Sequence, residues 1–244
     1  MRLHSPPERM VFVHGAGVAG AAAWTNLHGM ALGYDCLFLR RHGFAPGAEP
    51  QPTDFAADMR IVLENLGTGG HVVAHAEGAV AAMMAAVERP DLVRTLTLFE
   101  PACLSLTADL PVTRAYVERR GPLFAARDRL DDEQYNREFS RLLFGLEAGP
   151  LQTDSDRAAA RRLRLQAPPW EAPLHIVPGL PTLVVTGGWE PLYEEVAEYL
   201  VSTGAIHRHA GGNHRPQDTA EGRALLTAFL RSGAGQANRQ GSPR

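Results

Sequence analysis

Residues 71–90, HVVAHAEGAVAAMMAAVERP, have the form of a turn built to hold one side chain clear of a sheet. A short apolar strand runs into Ala76, Glu77 and Gly78, and a helix rich in alanine follows. Turning sharply from strand to helix strains the backbone at the apex. Small residues on either side keep that turn free of clashes, and the apex side chain then stands above the carboxyl edge of the sheet. In the G-x-S-x-G pattern the order is small residue, any, nucleophile, any, small residue. Here it reads Ala74, His75, Ala76, Glu77, Gly78. The apex carries a methyl group, which cannot attack a carbonyl. Cys103 and Ser105 follow the next strand and would emerge elsewhere along the sheet edge.

On this turn and three further motifs in matching order, spread over residues 10–230, the chain resembles a compact, lid-bearing α/β-hydrolase of the serine-hydrolase type. The resemblance implies roles for particular residues. VFVHGAG is similar to the family's oxyanion loop, which makes the backbone N–H groups of Ala16 and Glu77 the expected oxyanion donors. Two such donors contribute on the order of a few kcal/mol each to a developing oxyanion. Neither depends on a serine at position 76, so the hole is expected to survive.

PTLVVTGGWEPLYEE resembles the late strand whose following loop carries the family's acid, and aligning it puts Glu190 in that role. HRHAGGNHRPQD resembles the loop that delivers the histidine, and puts His214 in the role of base. The resulting catalytic series is Ala76, Glu190, His214, with Ala76 at the nucleophile position. Glu100, which ends the strand after the turn in LFEPA, is the alternative acid. Glu77 is read as a helix-start carboxylate stabilised by free N–H groups. As a nucleophile it is rejected, because an ionised carboxylate aimed into the hole would repel the charge the hole should attract. His14 and His75 are read as braces for their turns, Trp24 as core or pocket wall, and Arg40 and Arg41 as solvated.

The elements that must position these residues follow from hydrophobic period. Strands are expected at 10–14, 35–40, 71–75, 95–99, 181–186 and 205–209, and helices at 54–66, 77–88, 191–201 and 218–230. Thr53 precedes the first helix as a cap, and Pro191 suits the first turn of the third. The alternation of the two kinds predicts a mostly parallel, doubly wound α/β sheet. It breaks between residue 103 and about residue 173, where the chain turns charged and helical. That span is expected to be a helical lid inserted in a single domain of residues 1–231, with residues 232–244 a solvated tail.

Composition narrows the classes. Of 244 residues 45% are apolar, enough for one well-buried core. The 24 basic and 27 acidic residues leave a net charge of −3 and form no long block, so neither a nucleic-acid footprint nor a polybasic membrane anchor is expected. Cys36 and Cys103 have no CxxC partner and read as free thiols of a reducing compartment. MRLHSPPERM lacks a secretory pattern, and a cytoplasmic location is the expectation. The pair Gly15 and Gly17 lacks the spacing of a nucleotide fingerprint, so no cofactor is expected, and no metal cluster is read from the sequence. The expected partner is a small, apolar substrate; the oligomeric state is left open.

Three functions remain. The first is an esterase, thioesterase or lactonase in which the serine has been replaced, naturally or by a deliberate substitution. The second is non-hydrolytic lyase, cyclase or isomerase chemistry with His214 as base. The third is a pseudoenzyme that holds a ligand.

Overall fold

The computed structural model describes residues 6–232, so the expected tail lies outside the described residues from 233 onward. Strands β1 (Glu8–Val13), β2 (Tyr34–Phe38), β3 (Gly70–His75), β4 (Val93–Phe99), β5 (Thr182–Thr186) and β6 (Ile206–His209) form one sheet in the order β2-β1-β3-β4-β5-β6. Every neighbouring pair is parallel.

Helices cover both faces, and the period-two alternation of each strand says which residue goes where. Val11, Val13, Val72, Ala74, Leu96 and Leu98 pack with α1 (Phe55–Leu66), α2 (Gly78–Glu88) and, further along, α6 (Pro191–Ser202). Met10, Phe12, Val73, Leu183 and Val185 face the other way. There they meet Leu226, Phe229 and Leu230 of α7 (Ala220–Arg231), together with Trp24 and Leu27. The sheet is therefore doubly wound.

Trp24 belongs to a kinked 3-10 segment, Gly20–Leu32, that the sequence reading left unassigned. Its repeat of three residues per turn fits neither the helical nor the strand template. The cap of α1 is also shifted by one residue: Asp54, not Thr53, accepts from Ala57 N–H at 2.8 Å. Thr53 instead accepts from Ala167 N–H at 3.0 Å, tying this loop to the far end of the helical span.

Between β4 and β5 the described residues contain α3 (Pro111–Ala125), α4 (Asp132–Phe144), α5 (Asp154–Arg164) and a short 3-10 turn, Pro169–Glu171, but no strand. The span is anchored through Glu195 of α6. That carboxylate accepts from Val112 N–H at 2.8 Å, from Thr113 N–H at 2.7 Å and from the Thr113 hydroxyl at 2.8 Å. It thereby satisfies donors that the first turn of α3 cannot bond internally.

Candidate active site

In an open α/β sheet, ligands bind beyond the carboxyl ends of the strands where the strand order reverses. Here β1 is followed by β2 on one side and β3 on the other, so the reversal lies between β1 and β3. The loop after β1, His14–Gly15–Ala16, and the turn after β3, Ala76–Glu77, open onto that crevice.

Ala76 sits at the turn with φ +49°, a left-handed conformation rare for a residue with a Cβ. Its peptide is pinned from the next strand: Ala76 N–H donates to Phe99 O at 3.0 Å, and Ala76 O accepts from Ala102 N–H at 3.1 Å. Gly78 allows the turn to lie against β1, since a Cβ there would come within 2.4 Å of Val13 O and 2.6 Å of His14 O. Behind the turn, α2 buries small residues along its whole length, from Gly78 and Ala79 to Ala85 and Ala86.

The two histidines at the strand ends act as braces. His14 donates Nδ1–H to Gly15 O at 2.7 Å and accepts Arg41 N–H on Nε2 at 3.1 Å, which fixes its tautomer. His75 donates Nε2–H to the backbone carbonyl of His214 at 2.7 Å, so the turn after β3 holds the loop after β6. Burial drives both imidazoles down to about 3, with help from Arg41 at His14 and from His214 at His75. Arg41 is buried instead of solvated. Its Nε donates to Asp58 Oδ2 at 2.8 Å, and Asp58 Oδ1 also accepts His42 N–H at 2.6 Å.

The carboxylate facing His214 is Glu100, not Glu190. Glu100 follows β4 with φ +46° and is 0% exposed; its Oε2 lies 3.6 Å from His214 Nδ1. That separation is longer than a hydrogen bond, and His214 Nδ1 has no closer partner among the described residues. Glu100 is held in place by Gly187 N–H on Oε1 at 2.5 Å and by the Trp189 indole N–H on Oε2 at 3.0 Å. Glu190 is the N-cap residue of α6, makes no side-chain capping bond, and lines a cavity against α3. The sequence placed both glutamates after strand ends. Only the fold shows that the left-handed residue after β4 sends its side chain across β5 to the histidine loop.

The expected oxyanion donor Ala16 is already engaged: its N–H donates to Glu77 Oε2 at 2.9 Å. The Glu77 carboxylate thus reaches back across the crevice to the β1 loop, where the sequence reading had it stabilising its own helix start. As N-cap residue of α2 it makes no side-chain capping bond.

Three aromatic residues that the sequence reading did not single out complete the surroundings. The Tyr193 ring lies 5.2 Å from that of His214, and the Trp189 ring 6.0 Å from it. Burial pushes the Tyr193 phenol well above its usual range, and Glu77, Tyr116, Glu100 and Glu190 add to the shift. Burial likewise raises the Tyr116 phenol; Arg120 and Arg119 oppose this, while Glu77 and Glu190 reinforce it. Only the helical period of α3 and α6, combined with the turn positions, could have flagged these rings from sequence.

Among the described residues, one group has metal-ligand geometry that the sequence reading did not find. Glu194 of α6 meets His207 and His209 of β6, with donor atoms all within 4.8 Å of one another. Glu194 Oε2 lies 2.9 Å from His209 Nε2 and 3.6 Å from His207 Nε2, while the Thr186 hydroxyl takes up the latter nitrogen at 2.7 Å. No described helix is long and apolar enough to cross a membrane.

Comparison with solved structures gives the same fold at low identity. MenH from S. aureus aligns with a TM-score of 0.64 and 15% identity, covering 96% of this chain and 96% of the other. A haloalkane dehalogenase loop variant, DbeA-M1 from Bradyrhizobium elkanii, aligns with a TM-score of 0.63 and 20% identity over 97% and 93% of the two chains. A structure from work on carboxylesterases of Nitrososphaera gargenis aligns with a TM-score of 0.61 and 16% identity over 92% and 90%. No curated protein sequence matches the chain. The profile of the Alpha/beta hydrolase family matches residues 10–225, nearly the whole described chain, and the protein belongs to that family.

Proposed function

We propose that the protein is a cofactor-free acid–base enzyme on the α/β-hydrolase frame. In this reading His214, backed by Glu100, moves a proton to or from a small substrate held between the sheet edge and α3, and no covalent intermediate forms at residue 76. The observation that carries the proposal is the bond from Ala16 N–H to Glu77 Oε2, 2.9 Å long, beside the Ala76 methyl. Acyl transfer needs a nucleophile and free donors for the oxyanion. Here the first is a methyl group, and one of the two expected donors is already bonded to a carboxylate.

Proton transfer needs different parts, and those are present. A base oriented by a neighbour is supplied by His214 and Glu100, and a positioned acid–base group contributes about 10² to 10⁴-fold to a rate. Tyr193, held as a neutral phenol by burial, can donate a hydrogen bond beside His214. The helices between β4 and β5 act as the lid in this reading, and Glu195 fixes the start of α3 over the crevice.

A second reading is ester hydrolysis by a serine hydrolase whose residue 76 has been changed from serine. The left-handed φ of +49° at Ala76 favours it, because strain of about 1 to 3 kcal/mol is kept for a side chain with nothing to present.

The test is a panel of small ketones and β-hydroxy carbonyl compounds incubated with the full chain in D2O. Carbon–hydrogen exchange and elimination are followed by NMR for the native protein and for His214→Ala. Turnover that is lost in His214→Ala, in protein that a serine-directed phosphonate does not label, supports the acid–base reading. Inert native protein, with ester hydrolysis appearing once Ala76 is changed to serine, overturns it in favour of the second.

A further inference from the structure

Among the described residues two arginines are buried, Arg41 and Arg120, and they are treated differently. Arg41 has Asp58 as a buried ion-pair partner. Arg120, 7% exposed on α3, forms no hydrogen bond or ion pair with any described residue, and its Nε and Nη1 are sealed without a partner. Its guanidinium carbon lies 5.0 Å from the centre of the Tyr116 ring, one helical turn away. Stacking on a ring face leaves the N–H groups, which lie in the guanidinium plane, unspent. A buried charge with unused donors is costly unless something supplies the counter-charge.

Arg120 lines a cavity of about 250 Å³ between α3 and α6. Val112, Ala115 and Leu192 give it apolar walls, and its charged members are Arg119, Arg120 and Glu190. Two cations against one carboxylate leave an excess of one positive charge, which matches a monoanion. Tyr116, on which Arg120 stacks, also lines this cavity.

We infer that this cavity binds the carboxylate of a small organic acid, with Arg120 as the residue that anchors it. Nη2, the guanidinium nitrogen that is not sealed, carries two N–H donors for a carboxylate oxygen, and the guanidinium charge lies beside it. A phosphate dianion would bring one charge more than the cavity's excess and would face Glu190 as well. The inference rests on the reading that α3 covers the substrate site, and it narrows that substrate to an anion with an apolar body.

Binding of benzoate and of its neutral counterpart benzamide to the full chain, followed by calorimetry at pH 7.5, tests the inference. Benzoate is expected to bind at one site about tenfold or more tightly than benzamide, a difference of about 1.4 kcal/mol. Arg120→Met should abolish that preference and Arg120→Lys should keep part of it, while Glu190→Gln should tighten benzoate. Because a partnerless buried charge is removed, ligand-free Arg120→Met should unfold at the same temperature as the native protein or higher. Equal binding of the two probes, undiminished benzoate binding by Arg120→Met, or a fall in its unfolding temperature would each overturn the assignment. His214→Ala should bind benzoate as the native protein does. Failure of the acid–base reading would therefore leave this result standing, and failure of the anion site would leave the D2O assay untouched.

Discussion

Glu100 reaches His214 from the strand after the nucleophile turn, with its Oε2 3.6 Å from Nδ1 and both of its oxygens held by N–H donors of the loop after β5. Held from behind in this way, the Glu100 carboxylate leaves the Nε2 side of His214 without a hydrogen-bond partner among the described residues. The imidazole is partly open, with 40% of its side chain exposed, whereas the carboxylate is sealed. A buried carboxylate beside Nδ1 favours the tautomer with its proton there.

Glu100→Gln should therefore lower any His214-dependent turnover by about 10² to 10⁴-fold. Glu190→Gln should change it only by a factor of about two or three, because that side chain faces the α3 cavity. Nitrogen-15 shifts of His214 give a reading that needs no substrate: the Nδ1–H form should dominate in the native protein and lose ground in Glu100→Gln. An activity loss on Glu190→Gln as large as that on Glu100→Gln would refute the assignment.

Stability should fall with acidification before most carboxylates titrate. His14 and His75 are held down to about 3 in the folded protein, mainly by burial, while their unfolded value is 6.5. Between those values the unfolded chain binds protons that the folded chain refuses. The stabilising contribution is thus complete above the unfolded value and is lost as pH drops below it. Each histidine adds a slope of up to about 1.4 kcal/mol per pH unit. Urea midpoints measured from pH 7.5 down to 5 should decrease steadily, and the ring protons of both residues should show no titration over that range. Titration of either ring near its unfolded value would contradict the buried, neutral state.

The start of α3 should depend on Glu195. Its carboxylate accepts from two backbone N–H groups and one hydroxyl there, so Glu195→Ala leaves the two backbone donors without a partner, while the Thr113 hydroxyl keeps Thr107 Oγ1 at 2.9 Å. A loss of about 1 to 3 kcal/mol is expected, together with faster amide exchange at Val112 and Thr113 and little change in the sheet. Exchange that speeds up equally in α3 and in β3 would mean the contact supports the whole domain instead of this helix.

What the sequence made legible follows from which features are periodic. Strand positions came from short apolar runs, such as Met10, Val11, Phe12 and Val13, set between segments of helical period, and the turn at Ala76 came from its flanking small residues. Side-chain direction was not legible. Glu77 and Glu190 have flexible side chains next to helix starts; the first is read as serving its own helix and the second, through the family resemblance, as serving His214. The approach of Glu100 to His214 depends on a left-handed φ and on donors at Gly187 and Trp189, none of which has a sequence period. Arg120 was hidden for a similar reason. In an amphipathic helix an arginine reads as solvated, and its burial is decided by α6 packing against α3.

The sharpest prediction concerns residues 76 and 77 together. In a serine hydrolase, loss of the nucleophile costs about 10⁶-fold in kcat, and the oxyanion hole and binding groups account for much of what remains. If Glu77 blocks the hole, restoring the nucleophile alone should do little, because Ala16 N–H stays bonded to Oε2. Ala76→Ser is therefore expected to hydrolyse activated esters within about tenfold of the native chain. Adding Glu77→Ala to Ala76→Ser should release Ala16 N–H while leaving the residue 77 backbone donor in place, and the double variant should gain about 10² to 10³-fold over the single one, the usual worth of an oxyanion donor. That gain should disappear with His214→Ala, since an unactivated hydroxyl is a poor nucleophile at neutral pH. A gain of several orders of magnitude from Ala76→Ser alone would mean that Glu77 is displaced easily by substrate, and that the chain is a serine hydrolase missing only its serine.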